Sequence, residues 1–345
     1  MVPRPPRGGR STVRVPVFAD VDTGVDDAMA LVYLLASPEA DLVGIASTGG
    51  NVDVDQVCRN NLGLLRLCGA GNVPVSRGAG GPLTAPMRTA EDTHGPAGLG
   101  YAELPTPDAE LTGYDAAQAW IRAARAHPGR LVGLVCGPMT NLALALRAEP
   151  ALPGLLRRLV IMGGSFDYRG NTTPVAEWNV SVDPEAAAEV FAAFDTPGGR
   201  ADDALPIVCG LNVTENAVMT PQIMQRLARE AGSTPEAVNP LIRVLDDAMR
   251  FYFEFHAGQG EGYLAHLHDP LAAAVALDPG LIRTRAAAVA VELTGTLTRA
   301  MTIADWSRRW GRPPNARVGV EVDVTAFFER FIERVGPFAR RLAHS

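Results

Sequence analysis

Short apolar runs rich in β-branched residues alternate with helical stretches along most of the chain, and this alternation limits the folds open to it more than any other feature. The pattern predicts strands over 13–19, 41–47, 131–136, 159–162 and 205–209. Helices are expected over 25–36, 52–68, 114–126, 141–147 and 184–194, then 221–231, 235–256 and 270–277. Three further strands (286–293, 301–305, 317–322) and a helix over 325–335 complete the reading. Strands that are apolar throughout must be covered on both faces, and helical crossovers join neighbouring strands in parallel. The expected fold is therefore α/β: a single-domain, open, mostly parallel sheet over 13–345 with helices on both faces. Such sheets bind ligands at the carboxyl ends of their strands. Residues 1–12 are rich in Pro, Gly and Arg with no apolar stretch, which predicts a disordered tail rather than a secretory signal. The long Gly- and Pro-rich segment 78–107 reads as a functional loop.

Composition removes several function classes. The net charge is −7, against a nucleic-acid binder with a basic face. All 31 basic residues are Arg, so mechanisms that need a Lys are closed. Cys58, Cys68, Cys136 and Cys209 lie scattered in apolar surroundings with no CxxC pair, which predicts reduced, buried thiols and a cytoplasmic protein. No apolar run reaches the roughly 20 residues of a membrane span.

The loudest local signal follows the first predicted strand. In Phe18-Ala19-Asp20-Val21-Asp22-Thr23-Gly24-Val25-Asp26-Asp27-Ala28, four carboxylates are crowded together after a buried strand. They repel one another unless they take up protons or share a cation. Hard divalent cations prefer such oxygen donors. A solvated turn with a helix cap accounts for one or two of the acids, not for four. Asp-Val-Asp-Thr also looks like the start of a DxDxT phosphatase, but there a downstream Lys, occasionally Arg, balances the phosphate; this chain has no Lys, and that pattern leaves Asp26-Asp27 unexplained.

The DxDxGxDDA pattern resembles the signature of the nucleoside hydrolases, and other segments agree in order. They are Gly49-Gly50-Asn51, Thr93-His94-Gly95, Cys136-Gly137-Pro138-Met139-Thr140-Asn141, Met162-Gly163-Gly164, Gly170-Asn171, Val175-Ala176-Glu177-Trp178-Asn179, Asp183-Pro184-Glu185 and Leu267-His268-Asp269-Pro270. Thr23 stands where the family usually has Pro, and Cys136 where it usually has Thr. The resemblance implies a Rossmann-like core of the nucleoside hydrolase type and an N-ribohydrolase that releases ribose and a free base. It implies Ca²⁺ held by Asp22, Asp27, Asp269 and the carbonyl of Cys136, with Asp22 as general base and His268 as proton donor to the leaving base. Asp26, Asn51, His94, Met162, Asn171, Glu177 and Asn179 are implied as substrate contacts. The resemblance also implies a homo-dimer or homo-tetramer, as is common among relatives. His268 resembles the inosine/uridine or pyrimidine groups, and the stretch 252–266 matches no single substrate class.

The residues also carry plainer readings. Asp269 before Pro270, and Asp183 before Pro184, have the form of helix N-caps. Asn51 has that option too. Glu177 and Asn179 read as alternate positions of an extended segment facing one side, with Trp178 facing the other. His94 is expected to close over the site from the long loop, and Tyr263 or Trp178 to stack near the base. His127, His256, His266 and His344 read as ordinary. A ribose- or nucleoside-binding protein without turnover is the alternative to an enzyme; the intact set of proposed ligands favours the enzyme.

Overall fold

The computed structural model describes residues 14–196, 198–234 and 236–344. The tail expected over 1–12 lies outside them. Eleven strands are described: β1 Val15–Val21, β2 Ala40–Ser47, β3 Val75–Arg77, β4 Leu131–Val135, β5 Leu156–Met162, β6 Ile207–Cys209, β7 Val218–Met219, β8 Ala265–His266, β9 Ile282–Val291, β10 Thr302–Asp305 and β11 Ala316–Val322. Nine form one sheet in the order β10-β9-β11-β6-β5-β4-β1-β2-β3. Every neighbouring pair is parallel except the two made by β9. β7 and β8 pair separately as a short antiparallel ribbon. The α/β, mostly parallel expectation holds.

Side-chain alternation divides the interior into two cores, one on each face of the sheet. Val17, Ala19 and Val21 of β1 pack with the helices Val25–Ala36, Pro240–Gly258, His268–Leu277 and Val324–Leu342. Phe18 faces the opposite way, with the helices Ala116–Ala126, Thr140–Ala148 and Pro184–Ala192. Trp120 is wholly buried there, its ring 4.7 Å from that of Phe18. Among the described residues no helix is long and apolar enough to cross a membrane.

Some elements differ from expectation. β3 has three residues, too few for a period-two pattern. The helix expected from 235 begins at Pro240, because the Asn239 side chain accepts the amides of Leu241 and Ile242 and so fixes its start. The last helix runs through Pro337 to Leu342; Ala339 is buried beyond the proline and its carbonyl accepts Asn239 Nδ2 at 2.7 Å. Packing there outweighs the break a proline usually imposes.

Candidate active site

β1, β4 and β5 end side by side, and the loops beyond them form a buried recess. Asp22 follows the last residue of β1. Its Oδ2 accepts the Asn51 amide at 2.8 Å. Gly50 lets the two meet, since a Cβ there would lie 2.0 Å from that oxygen. Asn51 also donates through Nδ2 to Asp27 Oδ2 at 3.2 Å, and the Gly24 amide donates to the same oxygen at 2.9 Å. Asn51 does not cap the next helix; Asp53 does. Asp269 is not a cap either. It lies inside the helix His268–Leu277, whose N-cap is Leu267. Asp183 does cap its helix, accepting the Ala186 amide at 3.0 Å.

The four acids of the opening motif part company. Asp20 projects to the Phe18 side, where its carboxylate accepts Thr48 Oγ1, Trp120 Nε1 and Asn141 Nδ2 at 2.6, 2.7 and 2.9 Å. It ties the strand tips together and does not line the recess. Asp26, Asp27 and Asp269 converge, one oxygen from each lying within 4.8 Å of the others. Burial raises all of these carboxyls: Asp26 to about 7, with the Asp27 charge adding to it, and Asp27 to about 6. Asp22 stands well above its usual range through burial and then the Asp27 charge, and Asp269 through burial and then the charges of Asp26 and Asp27. Asp26 and Asp269 raise or lower each other's carboxyl through their close approach as well as through charge. Burial and mutual repulsion thus favour protons or a cation among these carboxyls. Asp22 Oδ1 and Asp27 Oδ1 are buried with no hydrogen-bond partner among the described residues. Crowded carboxylates with uncommitted oxygens fit a hard divalent cation.

The recess brings together Asp26, Asn51, Cys136, Met162, Asn171, Glu177, Asn179, His268 and Asp269. Cys136 sends its thiol into the core and leaves its carbonyl at the recess, where Asn179 Nδ2 donates to it at 2.7 Å. Glu177 and Asn179 do not lie on an extended segment. Glu177 caps the short helix Trp178–Val182, its two oxygens accepting the amides of Asn179, Val180 and Gly164 at 2.8, 3.0 and 2.9 Å. Free amides at a helix start attract a carboxylate, and this local pull overrides alternation. Asn171 Oδ1 accepts the Trp178 amide at 2.9 Å.

His94 departs from the expected closing role. Its Nδ1 already accepts the Val25 amide at 3.1 Å at the start of a helix. Burial, with the His256 charge, lowers its pKa to about 3, so the ring stays neutral. His268 Nδ1 pairs with Thr214 Oγ1 at 2.8 Å. Burial first, then the His266 charge, holds its imidazole well below the usual range.

The recess opens into a wider cavity of about 480 Å³, and Asn171, Trp178 and His268 line both. Its outer wall carries residues that the motifs do not single out: Arg169, Tyr252, His256, Glu261 and His266. His256 and His266, read as ordinary, stand in this wall with ring centroids 5.0 Å apart. Tyr263 does not join them; it is 49% exposed and packs on Phe253. His127 and His344 lie elsewhere. The available signal was spacing on the helix Pro240–Gly258, which sets Tyr252 and His256 four residues apart on one face.

The chain matches the family model described as inosine-uridine preferring nucleoside hydrolase over residues 17–329. It is 36% identical to the pyrimidine-specific ribonucleoside hydrolase RihA of Citrobacter koseri over 327 residues, 94% of this chain and 99% of that one. Among solved structures it resembles a purine-preferring ribonucleoside hydrolase from Gardnerella vaginalis, with TM-score 0.85, 31% identity and coverage of 94% and 99%. An inosine-guanosine nucleoside hydrolase gives TM-score 0.82 at 28% identity, with the same coverage.

Proposed function

The chain belongs to the family of inosine-uridine preferring nucleoside hydrolases, enzymes that act on N-glycosyl bonds, and on that premise we propose that it uses Ca²⁺ to cleave ribonucleosides of the inosine, uridine or cytidine type to ribose and free base. The observation that carries this reading is the pair of buried, unpartnered oxygens on Asp22 and Asp27 beside a recess lined with amides and carboxylates. Asp22, Asp27, Asp269 and the Cys136 carbonyl would hold the ion. When bound, it supplies positive charge that offsets the carboxylate repulsion and acidifies a neighbouring water.

The chain's own residues do the rest. Asp22 is oriented through Oδ2 by the Asn51 amide, which leaves Oδ1 to take the proton of the attacking water. As water adds to C1′, the bond from C1′ to the base nitrogen breaks and its electron pair leaves with the base. A carboxylate base opposite the leaving group is the arrangement of an inverting glycosidase. His268 supplies an N–H to the departing base from the junction of recess and cavity. Asp26, Asn51, Asn171 and Asn179 offer the donors and acceptors that sugar hydroxyls need. Glu177 acts mainly by placing Asn179, Met162 forms an apolar wall, and His94 braces the helix start behind Asp26. The relatives differ in base preference by name, so uridine and cytidine rest on likeness to the pyrimidine-specific relative and inosine on likeness to the inosine-uridine family. The proposal extends to one catalytic domain over 13–345 in a cytoplasmic homo-dimer or homo-tetramer, in keeping with four free, buried cysteines.

The test is release of free ribose from inosine, uridine and cytidine with Ca²⁺, abolished by a chelator and restored by Ca²⁺. Thermal stabilisation by nucleoside without ribose release would instead establish a binding protein.

A further inference from the structure

The outer wall of the cavity holds a second cluster of metal-ligating side chains, unlike the first in chemistry. His256 and Glu261 lie at the end of the helix Pro240–Gly258 and just beyond it, and His266 is in β8. One ligand atom from each lies within 4.8 Å of the other two. His256 Nδ1 is 2.8 Å from Glu261 Oε2, and His266 Nε2 is 3.5 Å from the same oxygen. We propose that His256, Glu261 and His266 form a second metal site, for a divalent transition-metal ion of the zinc class, on the nucleobase side of the pocket and separate from the acidic cluster.

Four observations carry this. Two imidazoles and one carboxylate are a zinc-type donor set, whereas Ca²⁺ selects oxygens alone. Tetrahedral zinc places its N and O ligands about 3.3 Å apart, so the His266–Glu261 spacing already fits and the His256–Glu261 contact opens by ~0.5 Å. The outer atoms are braced as metal ligands usually are: His266 Nδ1 pairs with the Glu215 carbonyl at 2.8 Å, and Arg169 Nη2 sits 3.3 Å from Glu261 Oε1, leaving Oε2 for the ion. Finally, the His256 side chain is 9% exposed, and its Nε2 is buried with no hydrogen-bond partner among the described residues. The imidazole is held through Nδ1 alone, the nitrogen that faces Glu261. The neighbouring formal charges, Glu215 and Glu261 against Arg169, sum to −1, which favours a cation. A bound ion would stand beside His268, whose ring centroid is 5.8 Å from that of His266, and would narrow the space for the base.

The test is a titration of Co²⁺, a coloured stand-in for Zn²⁺, into the protein kept in excess Ca²⁺ so that the acidic cluster is occupied. We expect one Co²⁺ per chain with the visible absorption of a nitrogen-ligated ion, displaced by one equivalent of Zn²⁺. His266→Ala and Glu261→Gln each weaken that binding at least tenfold, while Asp27→Asn changes it less than twofold. Zn²⁺ inhibits ribose release, and His266→Ala raises the concentration needed at least tenfold. Binding that survives both outer-wall substitutions, or that is lost in Asp27→Asn, overturns the proposal. Because the spectrum is read without substrate, its failure is distinct from a failure to cleave nucleosides.

Discussion

The two halves of the pocket are built by opposite means. The inner recess is set on strand tips, and its carboxylates and amides are held by backbone donors: Asp22 by Asn51, Asp27 by Gly24, Glu177 by Gly164, Asn179 and Val180. The outer wall gathers the end of a helix, a two-residue strand and the loop residue Arg169, and its polar contacts run mostly between side chains: Arg169 with Glu215 and Glu261, His256 with Glu261. Main-chain anchors on a sheet locate atoms rigidly, as chemistry at a sugar requires. Side-chain networks at a rim can be exchanged one residue at a time, as selection among bases requires. Under the proposed function, the inner half carries the reaction and the outer half the choice of substrate.

The heaviest blow to that division would come from Asp22. Asp22→Asn keeps the shape and the Asn51 contact but removes the base and one carboxylate from the ion, so even at saturating Ca²⁺ kcat should fall by at least roughly 10²- to 10⁴-fold. A variant with near-wild-type kcat would leave the inner half without its proposed chemistry. Metal removal tests the same half through stability. Asp26 and Asp27 have pKa values raised to about 7 and 6 in the metal-free fold, above the usual carboxylate value near 3.9 in the unfolded chain. Raised values stabilise the fold below about pH 4, and that contribution is lost as pH climbs through 6 to 7. A cation removes the penalty of ionisation. The gap in Tm between Ca²⁺-loaded and chelated protein should therefore widen from pH 5 to pH 8, reaching roughly 5 °C at a hundredfold excess over Kd. A gap independent of pH would mean that the ion does not bind these carboxylates.

The same division explains what the sequence alone could reveal. Inner-half residues come in local runs: Asp22 to Asp27 and Gly50-Asn51 just after β1 and β2, Glu177 to Asn179 and His268-Asp269 at helix starts. Each run sets its site residues within a few positions of one another, so the recess was legible from local spacing and the parallel sheet from the strand–helix alternation. The outer wall draws Arg169, Tyr252, His256, Glu261 and His266 from separate stretches. Their meeting depends on the β7–β8 pairing of two residues each, too short for any periodic signal. Local geometry was equally hidden at Glu177, where the pull of a helix N-terminus replaced the extended backbone that alternation suggests.

A milder probe of the outer half is Tyr252→Phe. Tyr252 lines the cavity, and its ring packs against His94 and His256 at 5.4 and 4.8 Å. Loss of one hydroxyl should shift the ratio of kcat/KM between uridine and inosine by roughly 3- to 10-fold, about the worth of one hydrogen bond. Equal losses on both nucleosides would place Tyr252 with the catalytic half instead.

The smallest kinetic effect is expected at the acid nearest in sequence to the site. Asp20 and Asp22 are two residues apart at one strand tip, yet Asp20 spends its oxygens on Thr48, Trp120 and Asn141. Asp20→Asn sets an amide NH₂ against at least one of these donors, and a buried donor without an acceptor costs about 1–3 kcal/mol. Urea unfolding should register that loss, while kcat and KM stay within about threefold because no recess atom is touched. A normal unfolding midpoint with kcat as low as in Asp22→Asn would place Asp20 in the reaction. The catalytic boundary would then have to be redrawn one strand face deeper, inside the core shared with Phe18 and Trp120.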